Sequence, residues 1–565
     1  MKLAWMLTLG VAAAGGQESD WPAPVKDFKA VEPGEHPRLL FRKPDLPRLK
    51  KIAGTPEGKA IVERLRRCLN GSDGETMPVR YGVRGAVNQD GAGETANDPP
   101  GTYTFSHAAG YGFLYQLTGD RKYAELGRQC MEKAFEGQRD RDRRYSFRAP
   151  YGALRAGPSL GWTALGYDLC YDGWDEEYRR KVARAIQDYN EGRWMSLEEL
   201  ARGARHHPGS NHWGMQVGGA AMALLAIMGD PGVDMGKLRP LLDVSRKSMI
   251  RNLTEGFGDG GFFAEGDGTG SMSSHIVFLP ALQAWRVAGG QDFVGPRPNA
   301  VWTALKWIFL TVPRGGTMDF WPVRGGYPHN VWAREGLSGA GYFGISFGIL
   351  RDEHRAGLLW FYNRHLREAD ARAGTPFDAT TPYPHHAICS FVNWPWELKE
   401  RPPEEVLPRV CRDTKWSFTA FRNRWQDEND IVISVLTKAS KGYMSAKADG
   451  ALQVAAFGRK FAHGKVAGDV RRWEAASDGS AVMTMADGTS VAIDFSGASG
   501  AEGMIVMTGP GAEGTAVTAG ETTYRVKFLT SRAEPAVRAE GDALAAGRQK
   551  VRLKEGHLSL EVFAR

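Results

Sequence analysis

His206-His-Pro-Gly-Ser-Asn-His-Trp-Gly-Met-Gln-Val-Gly-Gly-Ala220, continuing Ala-Met-Ala-Leu-Leu-Ala-Ile-Met-Gly229-Asp230, is a polar, turn-forming entry that runs straight into a helix with almost no polar face. From Ala220 to Met228 the side chains are apolar, which predicts a helix buried on most sides rather than along one stripe. Gly229 stops it and Asp230 is placed to cap the helix that follows. The same punctuation occurs at Tyr115-Gln-Leu-Thr-Gly119-Asp120, with a weaker copy at Trp285-Arg-Val-Ala-Gly289-Gly290. Between these lie amphipathic helices. Asp175-Glu-Glu-Tyr-Arg-Arg-Lys opens with acids and continues with bases, and Tyr178, Val182, Ala185, Ile186 and Tyr189 share one face. From about Leu46 to Leu366 the pattern therefore predicts helical hairpins with an inner apolar and an outer amphipathic helix. The irregular spacing excludes a strict solenoid repeat.

Around Trp394 the composition changes. Trp394-Pro-Trp-Glu-Leu-Lys-Glu-Arg-Pro-Pro is a Pro-rich, charged linker. Beyond it the apolar period becomes two, in Ile431–Leu436, Ala481–Met485, Ser490–Phe495, Tyr524–Leu529 and Leu558–Phe563, with Asp487-Gly488 as a hairpin turn. Short strands without intervening helices predict a sandwich. The fold class is thus α + β multidomain: an N-terminal (α/α) toroid, an incomplete barrel of helical hairpins, followed by a C-terminal antiparallel β-sandwich. The expected segments are a signal peptide at 1–16, the toroid at 17–393, a linker at 394–408 and the sandwich at 409–565.

The 565 residues exceed what a single core usually supports, and 42% of them are apolar. Lys and Arg outnumber Asp and Glu by 72 to 65, spread along the chain, and the isoelectric point near 9.0 permits a polyanionic partner. No basic block is dense enough for nucleic acid. Lys2, the apolar run Leu3–Val11 and Ala12-Ala13-Ala14 form a secretory leader, so a secreted or periplasmic location is expected. No later run is apolar for long enough to span a membrane. Cys68, Cys130, Cys170, Cys389 and Cys411 are odd in number and widely spaced. They form no CxxC motif, and export permits one or two disulfides.

Two segments carry candidate chemistry. In the first, three His, one Asn and one Trp fall within residues 206–213. Asn211 and His212 at the helix N-terminus, with His207 and Trp213 beside them, offer donors and a positive partial charge suited to a bound anion. The second is Gly258-Asp-Gly-Gly-Phe-Phe-Ala-Glu265-Gly-Asp267-Gly-Thr-Gly-Ser-Met-Ser-Ser-His275, a glycine-rich acidic loop before a helix. Glu265 and Asp267 form a possible acid/base pair, and His275 a proton-transfer group. Tyr151, Arg155, Trp162, Trp213, Tyr327 and His329 lie in Gly/Pro-containing stretches read as loops, where aromatic faces stack on sugars and Arg clamps carboxylates.

The order of these features resembles the heparinase II/III-like polysaccharide lyases and related toroid-plus-sandwich alginate lyases. The opening His36-Pro-Arg-Leu-Leu-Phe and Asp45-Leu-Pro-Arg-Leu are similar to that family's start. Asn211-His212 resembles its catalytic pair, and Gly260-Gly-Phe-Phe-Ala-Glu-Gly-Asp-Gly its glycine-rich loop. The likeness covers essentially the whole mature chain. It implies a lyase that cleaves a uronic-acid-containing polysaccharide by β-elimination, with Asn211 and His212 neutralising the substrate carboxylate. Two positions depart from the family. Asp259–Ser274 holds Phe262 and Phe263 but no Tyr, and Tyr443-Met-Ser-Ala-Lys-Ala-Asp449 places Ser445 and Lys447 where the family has His. Tyr443 and Lys447 are then the sandwich-side candidates for proton transfer, and no metal or cofactor is expected. The expected partner is an anionic polysaccharide or oligosaccharide; oligomeric state is not legible. Two alternatives stand beside this one: a glycoside hydrolase using Glu265 with Asp267 or Asp319, and a non-catalytic glycan binder.

Overall fold

The computed structural model describes residues 21–82, 98–321, 341–379, 381–439, 448–497, 500–554, 558 and 560. Helices fill its N-terminal part and antiparallel sheets its C-terminal part. Among the described residues seven helices form the inner layer of the toroid: α1 (His107–Thr118), α2 (Ala153–Cys170), α3 (Asn211–Ile227), α4 (Asp267–His275), α5 (Phe278–Val287), α6 (Tyr342–Phe347) and α7 (Pro384–Asn393). α1 packs on α2, α2 on α3, and α3 on α4 and α5; these meet α6, which packs on α7, and α7 returns to α1. Outer helices, among them Arg121–Phe135, Glu176–Gln187, Met235–Arg251 and Asp352–His365, alternate with them along the chain.

The inner helices approach closely because their facing residues lack side chains. A Cβ on Gly219 of α3 would lie 1.9 Å from the Gly157 carbonyl oxygen of α2, and one on Gly157 would lie 2.2 Å from the Met215 carbonyl oxygen. On the other side of α3, Gly214 meets the Ser273 carbonyl oxygen at 2.0 Å and Gly218 meets Phe278 at 2.8 Å by the same measure. The small-residue composition of α3 is thus a packing requirement on both flanks.

The outer helices follow the sequence expectation. Asp175 accepts the Tyr178 N–H at 2.8 Å, and Tyr178, Val182, Ile186 and Tyr189 are buried. Gly119 ends α1 with φ +75°, and Asp120 caps the next helix through the Lys122 N–H. The copy at Gly229-Asp230 differs. Gly229 has φ +77°, but Asp234 caps the helix Met235–Arg251. Asp230 instead turns inward, where its carboxylate meets Arg38 Nη2 at 2.6 Å, the Tyr167 hydroxyl at 2.7 Å and His36 Nε2 at 3.0 Å. His36 Nδ1 reaches Asp168 at 2.7 Å. Burial would raise the Asp230 carboxyl, but His36, Arg38 and Tyr167 hold it below its ordinary value. The His36-Pro-Arg segment is therefore a buried ionic anchor that fastens the start of the chain to α2 and the end of α3.

The sandwich begins with a five-stranded sheet in sequential order, β1 (Val410–Asp413), β2 (Phe418–Arg422), β3 (Val432–Leu436), β4 (Ala451–Ala456) and β5 (Arg459–Lys465). The second sheet holds β6 (Val470–Ala475), β7 (Ala481–Met485), β8 (Ser490–Asp494), β9 (Gly503–Thr508), β10 (Thr515–Ala519) and β11 (Thr522–Leu529), with β10 on the edge beyond β11. A third, three-stranded sheet, Val537–Glu540, Ala543–Ala546 and Gln549–Arg552, covers the outer face of the second. β3 is buried on both faces: Val432 and Leu436 join the toroid core, while Ile433 and Val435 face the second sheet. The first sheet is thus the floor on which the toroid sits. Most of the strand expected at Leu558–Phe563 lies outside the described residues.

All five cysteines are buried and unpaired. Among the described residues no helix is long and apolar enough to cross a membrane.

Candidate active site at the mouth of the toroid

α3 opens at Ser210, whose hydroxyl accepts the His212 N–H. Asn211 and His212 are its first two residues, so their side chains stand at the helix mouth. Asn211 is 6% exposed and His212 half-buried. The backbone N–H of Asn211 donates to Glu265 Oε2 at 3.0 Å. The His212 ring stacks on His206 with centroids 4.3 Å apart and planes at 22°. His206 Nδ1 lies 3.0 Å from the Gln216 side-chain nitrogen, which fixes the stack to the next turn of α3. His212 Nδ1 is buried and has no hydrogen-bond partner among the described residues.

The electrostatics of this group are one-sided. Burial first, then His206, Arg155 and Arg205, push His212 down to about 4. Burial also lowers His206. Both rings are therefore neutral near pH 7, and the permanent positive charge comes from Arg155 and Arg205. Arg155, in the first turn of α2, is 7% exposed and donates to the Tyr145 hydroxyl at 3.1 Å, its guanidinium 5.0 Å from that ring. Tyr151, 37% exposed, stands on the rim just before α2. His207 is exposed, and its Nδ1 accepts the Gly209 N–H at 3.0 Å.

Four sequence-expected residues lie in the protein interior: Trp213, His275, Glu265 and Trp162. Trp213 is 2% exposed, its indole N–H donates to the Ser248 carbonyl, and Arg251 covers its face at 4.9 Å. It packs α3 on the outer helix and offers no face to a sugar. His275, in the last turn of α4, is 2% exposed. Its Nδ1 lies 2.8 Å from the Ser274 hydroxyl, its ring packs on Tyr342, and burial pushes it down to about 3. It is an interior imidazole between inner helices, not a proton-exchange group at the mouth. Glu265 is fully buried beneath Asn211 and cannot touch substrate directly. Trp162 also lies in a helix rather than a loop, with its indole N–H on the Ile276 carbonyl. Asp267 opens α4. Tyr327, His329, Tyr443 and Lys447 lie outside the described residues.

The structure adds residues that the sequence reading passed over. His107 is the first residue of α1, and His385 and His386 are the second and third of α7. His385 stacks on Trp162 at 4.1 Å and meets the Ser106 hydroxyl at 3.0 Å. The Tyr383 hydroxyl donates to Asp140 at 2.9 Å, and Phe105 packs among Tyr145, Tyr383 and His385. The signal was present: Thr104-Phe-Ser-His107 and Tyr383-Pro-His-His386 repeat the pattern of Ser210-Asn-His212, a polar or aromatic entry before a buried inner helix. Among the described residues no group of three or more His, Cys, Asp or Glu is placed to hold a metal ion.

No family model and no curated protein matches the chain. Among solved structures it is similar to one described as heparinase III, at 11% identity and a TM-score of 0.39, over 89% of this chain and 77% of that one. It is also similar to heparan sulfate lyase HepC from Pedobacter heparinus, at 12% identity and a TM-score of 0.39, over 73% of this chain and 61% of that one. A third, the heparinase III BT4657 gene product, gives 12% identity and a TM-score of 0.36, over 89% of this chain and 77% of that one.

Proposed function

We propose that the chain is a polysaccharide lyase that cleaves a uronic-acid-containing polymer by β-elimination at the mouth of the toroid. One observation carries the reading: a half-buried His212, held neutral, stands beside the Asn211 amide and close to the charge of Arg155. The obstacle to elimination is the weak acidity of the proton α to the carboxylate. Donors aimed at that carboxylate stabilise the charge that develops on it, and the Arg155 guanidinium with the Asn211 amide suits this task. A neutral imidazole can accept the proton. The C–H electron pair then forms the new C=C bond, the bond to the 4-linked oxygen breaks with its electrons, and that oxygen takes up a proton. His212 acts here as base rather than as carboxylate partner, because its burial removes the positive charge that the second role needs. Tyr443 and Lys447 remain sequence-level candidates for the leaving-group proton. Export through the leader at 1–16 belongs to the same proposal; five buried thiols withstand an oxidising compartment without pairing.

A hydrolase needs two carboxylates across one glycosidic bond. Glu265 is buried under α3, and Asp319 is paired with Lys460 at 2.7 Å, so neither favours that reading. The test is incubation with alginate, glucuronan, ulvan and glycosaminoglycans. Elimination leaves a C=C conjugated to the carboxylate, which absorbs in the ultraviolet. Chain shortening without that absorbance rejects the lyase; saturable binding without any chain shortening makes the protein a glycan binder.

A further inference from the structure

Glu265 reaches Asn211 from a glycine-rich loop that is held by the other domain. The Asp413 carboxylate, at the end of β1, accepts the N–H groups of Gly260 and Phe262, both at 3.0 Å, through one oxygen and the Trp416 N–H at 2.8 Å through the other. Asp259 reciprocates, its carboxylate accepting the Thr414 N–H and hydroxyl, both at 2.7 Å, and the Lys415 N–H at 3.2 Å. Lys415 Nζ then donates to the carbonyls of Thr254 and Glu255 at 2.6 and 3.0 Å, where the outer helix ends. The fit leaves no slack. A Cβ on Gly258 would lie 2.1 Å from Asp413 Oδ1, and one on Gly260 would lie 2.3 Å from the Arg412 carbonyl oxygen. The next residues are clamped by rings: Phe262 stacks on Phe418 of β2 with centroids 4.6 Å apart, and the buried Lys306 ammonium lies 5.3 and 5.1 Å from the two. Three residues beyond Phe262, Glu265 takes the Asn211 N–H.

We propose that Asp413 is a positioning residue for Asn211: the first sandwich strand sets the glycine-rich loop, and the loop sets the mouth of α3 through Glu265. Its catalytic consequence rests on the lyase reading; its structural half does not. Within the toroid the loop is held by short-range backbone bonds, Gly258 N–H to the Phe262 carbonyl at 2.9 Å and Ala264 N–H to the Gly256 carbonyl at 3.0 Å, and a run this rich in glycine has many accessible conformations. The carboxylate of another domain adds a long-range constraint on Gly260 and Phe262, which couples the candidate site to interdomain docking.

The experiment is amide hydrogen exchange on the full chain without substrate, for the wild type, Asp413→Ala and Asp413→Asn, with turnover measured alongside. Loss of one hydrogen-bond anchor should speed exchange at Asn211 roughly tenfold in Asp413→Ala, in addition to the direct loss at Gly260 and Phe262. Amides in Glu176–Gln187 and in β8 should keep their protection. Asp413→Asn retains an acceptor oxygen for Gly260 and Phe262 and should restore most of the Asn211 protection. Turnover should follow the Asn211 amide, with kcat falling and KM nearly constant. Should Asp413→Ala not fold, Thr414→Val removes an exposed contact to Asp259 and should shift the Asn211 amide in the same direction by less. Unchanged exchange at Asn211 in the folded variants overturns the proposal. A wild type that eliminates no polymer overturns the lyase reading alone, because the exchange result stands without it.

Discussion

Glu265 Oε2 and the backbone N–H of Asn211 form a fully buried hydrogen bond of 3.0 Å. The first backbone donor of α3, which the sequence offers to a bound anion, is thereby taken by the protein's own carboxylate. In the proposed lyase a substrate carboxylate would be met by side chains instead, Arg155 first among them, with Glu265 in a supporting place beneath Asn211.

Removing that carboxylate should therefore be felt as stability. Glu265→Ala leaves the Asn211 N–H buried without its acceptor and should cost about 1–3 kcal/mol in denaturant unfolding. Glu265→Gln keeps an acceptor oxygen and should cost less. A variant of unchanged stability with a raised KM would return Glu265 to substrate contact.

Asn211→Ala and His212→Ala should behave in the opposite way. Loss of a transition-state donor or base lowers turnover by about a hundredfold or more. Stability should change by about 1 kcal/mol, as for a helix-terminal contact. Melting temperature and kcat measured on both variants separate the two classes of effect. Destabilised but fully active variants would end the case for this pair.

The pH profile should carry the signature of a neutral base. His212 is held down to about 4, mainly by burial. Its base form persists as pH falls from 7 to about 5, so kcat/KM should stay flat over that range and decline near 4. An acid limb centred near 6.5 would assign the base to an ordinary, exposed histidine.

His275 should show itself in stability instead. Its folded pKa is about 3, depressed by burial from 6.5. The unfolded chain takes up this proton as pH drops below 6.5 while the folded chain does not. The stability present above pH 6.5 is therefore lost progressively down to about 3. Between pH 7 and 5 the wild type should lose about 2 kcal/mol relative to His275→Gln. Parallel pH curves for the two proteins would contradict this.

Gly219→Ala tests the packing of the inner ring. Its Cβ would lie 1.9 Å from the Gly157 carbonyl oxygen, against backbone that cannot rotate away. Overpacking of this kind costs roughly 1–3 kcal/mol or more, read as a fall in the denaturation midpoint. Gly119→Ala, with open space around its Cβ, should cost only the strain of φ +75°.

The sequence by itself determined the local and repetitive features of this protein. The inner and outer helices followed from whether apolar residues covered the whole surface of a helix or one face, as in Ala220–Met228 against Tyr178–Ile186. The stop at Gly119 and the caps at Asp120 and Asp175 followed from short-range geometry, and the strands from a period of two. The tertiary structure decided whatever depends on a partner far along the chain. Asp230 had the sequence context of a cap yet became the ion-pair partner of Arg38 and a hydrogen-bond partner of His36, some 190 residues away. His212 and His275 look alike in sequence, but one stands at a helix mouth and the other lies sealed against Tyr342. Glu265 and Asp413 acquired their roles from Asn211 and from Gly260 and Phe262 respectively. A carboxylate or imidazole takes its charge and its task from burial and from the groups that face it, and these are fixed only when segments distant in sequence are packed together.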